Sequence, residues 1–438
     1  MHLFLLVGMS LVTQKLAGTE KTENQSFQNP IDSSAASALH SSPPPVDTLS
    51  EKKSCFSPPP RRLIHTLGFE YRPEYILPTN SFVRGDNDNL LARAIEVSNS
   101  FHLRYSFHFQ PGTSTDHIYH RAYQGIGLAY YDFNEPERMG SPVAVYLFQG
   151  ARLGQISRRL TFNYEWNFGL SFGWKPYDFY MNPDNKAIGS RVNAYINTNF
   201  YFNWTLSRNW DLATGISVAH FSNGNTKFPN GGLNTFGLKL GLVYHLTRSG
   251  DDEKNNRASG ISTTRFPTHL SYDLVLFGAW RRKAVRMGEE LMAAPGSYSV
   301  GGFNFSPMYN LGYCFRAGVS LDGVYDSSAN IYAYSDLGST SGSVSGFRTP
   351  SLDKQMSLGL SARSELVMPY FRINLGIGHM LHGIGDQKGL YQLLALKIEM
   401  TRSSFLHIGY NIKDFHLPNF LMIGVGYRFH DKYPFVHR

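Results

Sequence analysis

Leu160-Thr161-Phe162-Asn163-Tyr164-Glu165-Trp166-Asn167-Phe168-Gly169-Leu170-Ser171-Phe172-Gly173-Trp174 places an aromatic residue or leucine at every even position and a polar residue or glycine at every odd one. Side chains of a strand alternate between two faces, so this stretch has one greasy face and one polar face. The same alternation fills 101–110, 193–207, 268–281, 311–325, 355–363, 389–400 and 402–412. A final segment sets Leu421, Ile423, Val425, Tyr427 and Phe429 against Met422, Gly424, Gly426 and Arg428. Strands of soluble domains usually run about 5 to 6 residues, whereas a membrane-crossing strand needs about 9 to 11. The spacing predicts an all-β protein, a transmembrane antiparallel β-barrel over residues 63–430 with an even number of strands, about 14 to 16.

Composition agrees. Aromatic residues make up 14% of the 438 residues, charged residues only 17%, and there are 41 glycines. No run of 18 apolar residues occurs, which excludes a helical span beyond a short leader. A secreted or periplasmic β-protein is the competing class. The alternation puts Phe162, Trp166, Phe200, Trp204, Leu240, Leu396 and Val425 on the lipid side. Asn163, Asn167, Tyr201, Asn203, Lys239, Lys397 and Gly424 then face the lumen, where Glu165, Lys397, Glu399, Arg316, Asp322 and Arg428 form ion pairs.

Turn lengths offer a second test, because bacterial barrels have short turns at one end and long loops at the other. Short turns are read at Ser207-Arg208-Asn209, around Asn310, near Glu365 and at Thr401-Arg402. Longer connections lie at 175–192, 223–232, 282–295, 326–353, 379–388 and 412–418. The polar stretch 248–267 is long yet falls on the short-turn side. Before the barrel, residues 1–18 predict a secretory signal peptide, and Ser/Pro-rich 19–62 a linker without a core. Residues 431–438 read as a short tail.

The formal charge of +8 suits anionic partners such as phosphorylated headgroups. The basic residues are scattered, which argues against nucleic acid. Cys55 and Cys314 show neither a metal spacing nor a disulfide framework, and two unpaired thiols are expected.

Chemistry concentrates at Val218-Ala219-His220-Phe221-Ser222-Asn223-Gly224 and Pro229-Asn230-Gly231-Gly232-Leu233-Asn234. His220 and Ser222 share the apolar face of one strand, and Asn234 falls on the apolar face of the next. A serine becomes a nucleophile when a histidine takes its proton and a third group fixes that histidine's tautomer. Backbone N–H groups of Asn223 and Gly224 are expected to hold an oxyanion. For His-x-Ser alone, ordinary polar residues near a strand end are the commoner reading.

His220-Phe221-Ser222-Asn223 with Pro229-Asn230-Gly231-Gly232-Leu233 resembles the signature of PagL-type lipid A 3-O-deacylases. The resemblance implies an outer-membrane barrel esterase whose active site on the outer wall faces the outer leaflet. His220 would be its base, Ser222 its nucleophile, and lipid A its substrate, with the 3-position hydroxyacyl chain cleaved. It implies no cofactor. The family's third residue is a glutamate; Asn234 stands there in this chain. Gly389-Leu390-Tyr391-Gln392 through Gly424-Val425-Gly426-Tyr427-Arg428-Phe429 is similar to the closing strands of acyloxyacyl-hydrolase-like barrels. Outer-membrane phospholipase A, with a His-x-Ser-Asn-Gly segment and a catalytic asparagine, is an alternative that would bring calcium and dimerisation. A non-catalytic porin or adhesin is another.

Arg281, Arg282, Lys283 and Arg286 are candidate ligands for lipid A phosphates, with a solvated charge run as the bland reading. His379, His382 and Asp386 share a loop but match no standard ligand spacing, so no metal site is expected.

Overall fold

The computed structural model describes residues 63–86, 93–111, 113–246, 265–287, 290–334, 346–415 and 417–432. The predicted signal peptide, linker and Cys55 lie outside the described residues, as do most of the tail and of 248–267.

The chain is all-β and antiparallel, but its wall strands close into two barrels of eight rather than the single barrel expected over 63–430. The first comprises β1 (Leu63–Ile76), β2 (Val97–Phe109), β3 (Tyr123–Asp132), β4 (Gly140–Gln155), β5 (Leu160–Trp174), β6 (Val192–Thr205), β7 (Trp210–Ser222) and β8 (Leu233–His245). They pair in sequence order, and β8 returns to β1 with Leu67 opposite Tyr244 and Tyr71 opposite Leu240. The second barrel begins with β9 (His269–Arg281). A small hairpin follows, β10 (Ala284–Met287) with β11 (Glu290–Ala293), and then wall strands β12 (Tyr298–Asn310) and β13 (Phe315–Asp326). A second hairpin, β14 (Tyr332–Tyr334) with β15 (Gly346–Arg348), precedes β16 (Met356–Val367), β17 (Phe371–His382), β18 (Leu390–Glu399), β19 (Ser404–Lys413) and β20 (Leu417–Phe429). Closure is by β20 on β9, with Val425 opposite Leu276.

The partition explains the anomalous connection. Stretch 248–267 joins the last strand of one barrel to the first strand of the next, so it is not a hairpin turn at all. Elsewhere β4–β5, β6–β7, β12–β13, β16–β17 and β18–β19 are joined tightly at one end as expected, but two connections depart from the pattern: 110–122 between β2 and β3 is long on the short-turn side, and the longer connection expected at 412–418 shrinks to 414–416 because β19 and β20 extend into it.

The solvation pattern is inverted relative to a water-soluble sheet. On β8, Phe236, Leu238, Leu240 and Leu242 are all more than 40% exposed, while Lys239 and Thr235 are fully buried. Such a wall is stable only against lipid, and every backbone polar group on it must find its partner within the sheet.

Eight strands leave an interior just wide enough for side chains to fill. In the first barrel Glu70 accepts from Arg72, Arg104 and Lys239, and Glu165 from Arg104, Lys239, Asn199 and Tyr123. Above this network lies an aromatic plug of Tyr131, Tyr146, Phe148, Trp174, Tyr195 and Phe221. In the second, Asp273 holds Arg316, Lys397 and Arg428, while Glu365 holds Arg316 and Lys397. Asp322 pairs with Arg363, and Glu399 with Arg372.

Trp166 and Leu396 point outward as expected but do not meet lipid. They pack together with Met368 and Phe371 in an apolar cluster that joins the two barrels, and Trp166 is only 8% exposed. Its ring meets Phe371 edge-on at 5.2 Å. A second contact places Ile118 and Tyr119 against Tyr313 and Cys314, whose thiol donates to the Ile118 carbonyl at 3.3 Å. Cys314 forms no disulfide.

A lysine at Leu240 should therefore destabilise the folded protein by about 2 to 4 kcal/mol if that position lies at the bilayer midplane. Urea titration of vesicle-inserted Leu240→Lys against the parent checks this. Unchanged stability would show that the wall does not face lipid.

Candidate active site

β7 and β8 pair with His220 directly opposite Asn234. Both side chains lie on the outer wall, since the intervening Ala219, Phe221 and Leu233 point into the first barrel's core. Phe221 is fully buried, with ring centroids of Tyr131 and Trp174 each 5.0 Å away. Burying such a ring is worth roughly 1.5 to 3 kcal/mol, which anchors the strand end between His220 and Ser222.

On the outer wall the three residues predicted from period two meet. His220 Nδ1 lies 2.7 Å from Asn234 Oδ1, and His220 Nε2 lies 3.0 Å from Ser222 Oγ. An amide oxygen only accepts, so this contact puts the imidazole proton on Nδ1 and leaves the Nε2 lone pair free to accept from the serine hydroxyl. That is the tautomer a general base requires. Gly232 adopts φ +73°, and a methyl group there would come 3.0 Å from His220 Cε1. Only glycine provides both the backbone conformation and the close approach.

The loop between the strands is fastened from several sides. Gly231 and Gly232 N–H donate to the Lys186 and Ala187 carbonyls at 3.0 and 2.9 Å. The Asn80 amide donates to the Gly232 carbonyl at 3.1 Å. Asn230 Oδ1 accepts the Asn223 N–H at 2.9 Å, and its Nδ2 donates to Asn225 Oδ1. The Asn223 N–H, expected to hold an oxyanion, is thus already engaged. Gly224, at φ +64°, makes no hydrogen bond through its N–H among the described residues. Asn230 was not singled out from sequence for a role; the only signal was its place in the Pro-Asn-Gly-Gly run.

The second barrel completes the surroundings. Arg282 N–H donates to the Asn225 carbonyl at 2.9 Å, and Asn225 Nδ2 donates to the Asn419 carbonyl at 3.2 Å. The Cα of Gly224 abuts Leu421 and Tyr410 so closely that an added methyl would touch both at 3.5 Å. Arg281 is held by Asp326 and Asn419, at 3.1 and 2.6 Å. Lys283 is paired with Asp386. Burial pushes the Asp386 carboxyl up, but the hydrogen bond and charge of Lys283 outweigh it and hold that carboxyl below its ordinary value. The same Asp386 oxygen also accepts the Asn330 N–H at 3.1 Å. Arg282 is exposed, and the Arg286 side chain lies outside the described residues.

Two family models match the chain. Residues 99–243 match "Lipid A 3-O-deacylase (PagL)", which covers the first barrel from β2 to β8. Residues 270–431 match "Acyloxyacyl hydrolase, C-terminal domain", which covers the second. No curated protein matches the chain. Among solved structures, the outer membrane protein Omp33 of Acinetobacter baumannii is 8% identical over 84% of this chain and 98% of its own, with a TM-score of 0.16. The siderophore receptor PirA of the same organism is 10% identical over 75% of this chain, with a TM-score of 0.18. This chain spans 52% of that receptor's length. The translocator domain of the autotransporter NalP from Neisseria meningitidis is 10% identical over 84% of this chain and 89% of its own, with a TM-score of 0.15. Likeness at these scores carries no argument about strand arrangement, which stands on the pairings above. With the two family models lying end to end over the two barrels, the chain belongs to the PagL family of outer-membrane lipid A deacylases, with an acyloxyacyl hydrolase C-terminal domain as its second barrel.

Proposed function

We propose that the protein hydrolyses the ester-linked hydroxyacyl chain at the 3-position of lipid A, with Ser222 as nucleophile and His220 as base. The observation that carries this reading is the chain of contacts Asn234–His220–Ser222, at 2.7 and 3.0 Å, on a lipid-facing wall. Ser222 Oγ attacks the acyl carbonyl as His220 Nε2 takes its proton. The Gly224 N–H stabilises the oxyanion. The tetrahedral intermediate collapses to an acyl-serine as His220 returns the proton to the leaving sugar hydroxyl. Water then repeats the sequence, giving a free fatty acid and restoring Ser222. Nucleophile, base, orienting group and oxyanion donor are all protein groups, so the reaction needs no cofactor. The active site faces the outer leaflet, where lipid A resides.

Mass spectrometry of lipid A from cells with and without the protein tests the reading directly. Loss of one hydroxyacyl chain should appear with the parent and vanish with Ser222→Ala. Lipid A deacylated equally by Ser222→Ala would sink the assignment.

Purified variants sharpen it. Ser222→Ala and His220→Ala should each remove most of the turnover, and the double variant should be little worse than either, because the two act as a unit. Losses that multiply would rule out the dyad. Asn234→Ala should be milder, since orientation is lost while nucleophile and base remain; full activity would show that Asn234 does not hold His220. Gly232→Ala should cut turnover by about tenfold or more through displacement of the imidazole, a rate loss that corresponds to about 1.4 kcal/mol. The folded band on a heat-modifiability gel should persist, and unchanged turnover would contradict the close approach.

A further inference from the structure

A groove of about 1390 Å³ opens at the loop end of the seam between the barrels. One side is formed by the first barrel, through Tyr177, Phe179 and Lys186 of its β5–β6 connection and the 225–231 part of the Ser222 loop, and the other by the second barrel. Asn225 is three residues beyond Ser222, which bounds their Cα separation at about 11 Å. The groove thus begins next to the nucleophile.

Its charge is lopsided. Six lysines and arginines line it against two carboxylates, Asp326 and Asp386. Those carboxylates are taken by Arg281 and Lys283. Lys186, Arg282 and Lys388 are exposed and make no side-chain ion pair among the described residues. Arg281 is buried, yet its Nε–H meets no acceptor among the described residues. Leaving a buried guanidinium donor without a partner is unfavourable, so an anionic acceptor in the groove would relieve that penalty. Phe179, Phe228 and Leu417 line the same groove and are 70%, 46% and 46% exposed. Cations beside exposed apolar side chains suit an amphiphile better than a free ion.

We infer that the second barrel is a substrate-binding module, which holds a phosphate group of the lipid A headgroup through Arg282 and Lys388, joined by Lys186 from the first barrel's β5–β6 connection, while the first barrel cleaves the acyl ester. The inference rests on the lipid A esterase reading and adds the source of headgroup specificity. Arginine and lysine hydrogen-bond phosphate oxygens with charge assistance, and desolvation at a membrane surface strengthens those bonds. The backbone bond from Arg282 to Asn225 fixes the phosphate site relative to the Ser222 loop.

The test compares phosphorylated lipid A with its enzymatically dephosphorylated form, both in detergent micelles. Arg282→Glu/Lys388→Glu should lower the ratio of kcat/KM for the phosphorylated over the dephosphorylated form by about tenfold or more. Arg282→Gln should lower it less. The loss should appear in KM and shrink at high salt, since exposed charges are screened. A second readout avoids turnover. Binding of the phosphorylated form to full-length Ser222→Ala should weaken when the two reversals are added, and excess inorganic phosphate should compete poorly. An unchanged ratio, or equal loss on both substrates, overturns the inference. So does effective competition by inorganic phosphate, which would assign the groove to a free anion. Failure of the esterase reading looks different: Ser222→Ala would retain hydrolysis of both substrates, whatever the ratio.

Discussion

A strand in lipid has no water to satisfy its edge, and that constraint governs this molecule. Each unpaired N–H or C=O in hydrocarbon costs several kcal/mol, so a membrane sheet must close on itself. Here it closes twice, through β8 on β1 and β20 on β9. The lumen side chains fix the size at which closure happens. Arg72, Tyr131, Tyr146, Tyr195, Phe148 and Lys239 are fully buried in the first barrel, as are Arg316 and Phe405 in the second. Such bulk fills an eight-stranded interior, whereas a barrel of twice that number would hold a water channel with these groups exposed to it. The ion networks follow from the same geometry. Because these side chains are buried, Glu70 and Glu165 share Arg104 and Lys239, and Asp273 is met by Arg316, Lys397 and Arg428.

Period two made the strands and the site legible because both depend on which face a side chain takes. His220 and Ser222 had to share a face, and the loop length brought Asn234 back beside them; the register His220 opposite Asn234 follows. What alternation does not encode is the neighbour of an outward face. Trp166 and Leu396 were read as lipid-facing, like Leu240 and Val425, yet they are buried in one apolar cluster across the seam. Lipid and a second barrel demand the same apolar surface, so the distinction is invisible along a single strand. The long polar connection 248–267 on the short-turn side was the one local sign that the strand series restarts.

The hydrogen bonds of the loop were illegible for a different reason. Asn223 and Asn230 both offer a donor and an acceptor, and nothing in their order says which backbone group each will meet. The fold assigns Asn230 Oδ1 to the Asn223 N–H, which ties the turn after Ser222 to the strand that follows. The expected pair of oxyanion donors thereby reduces to Gly224. Likewise the cations at 281–283 read as one run but act apart: Arg281 and Lys283 are structural partners of Asp326 and Asp386, and Arg282 between them is exposed.

Asn234 acquires its sense from the wall it stands on. The orienting residue of a catalytic histidine is often a carboxylate, which also stabilises the imidazolium. On an outward face, half-buried where β8 runs between β7 and the end of β1, an ionised carboxylate carries a desolvation cost whenever the histidine is neutral. An amide avoids that cost while still fixing the proton on Nδ1. The exchange favours a resting site that is stable in lipid over the last increment of charge stabilisation. It shifts more of the work onto positioning, which the fold supplies in abundance through Phe221 in the aromatic plug, Gly232 beneath the imidazole, and Arg282 and Asn419 reaching over from the second barrel. A two-barrel architecture is thus suited to the neutral triad we propose: the second barrel holds the loop whose geometry the missing charge makes more demanding.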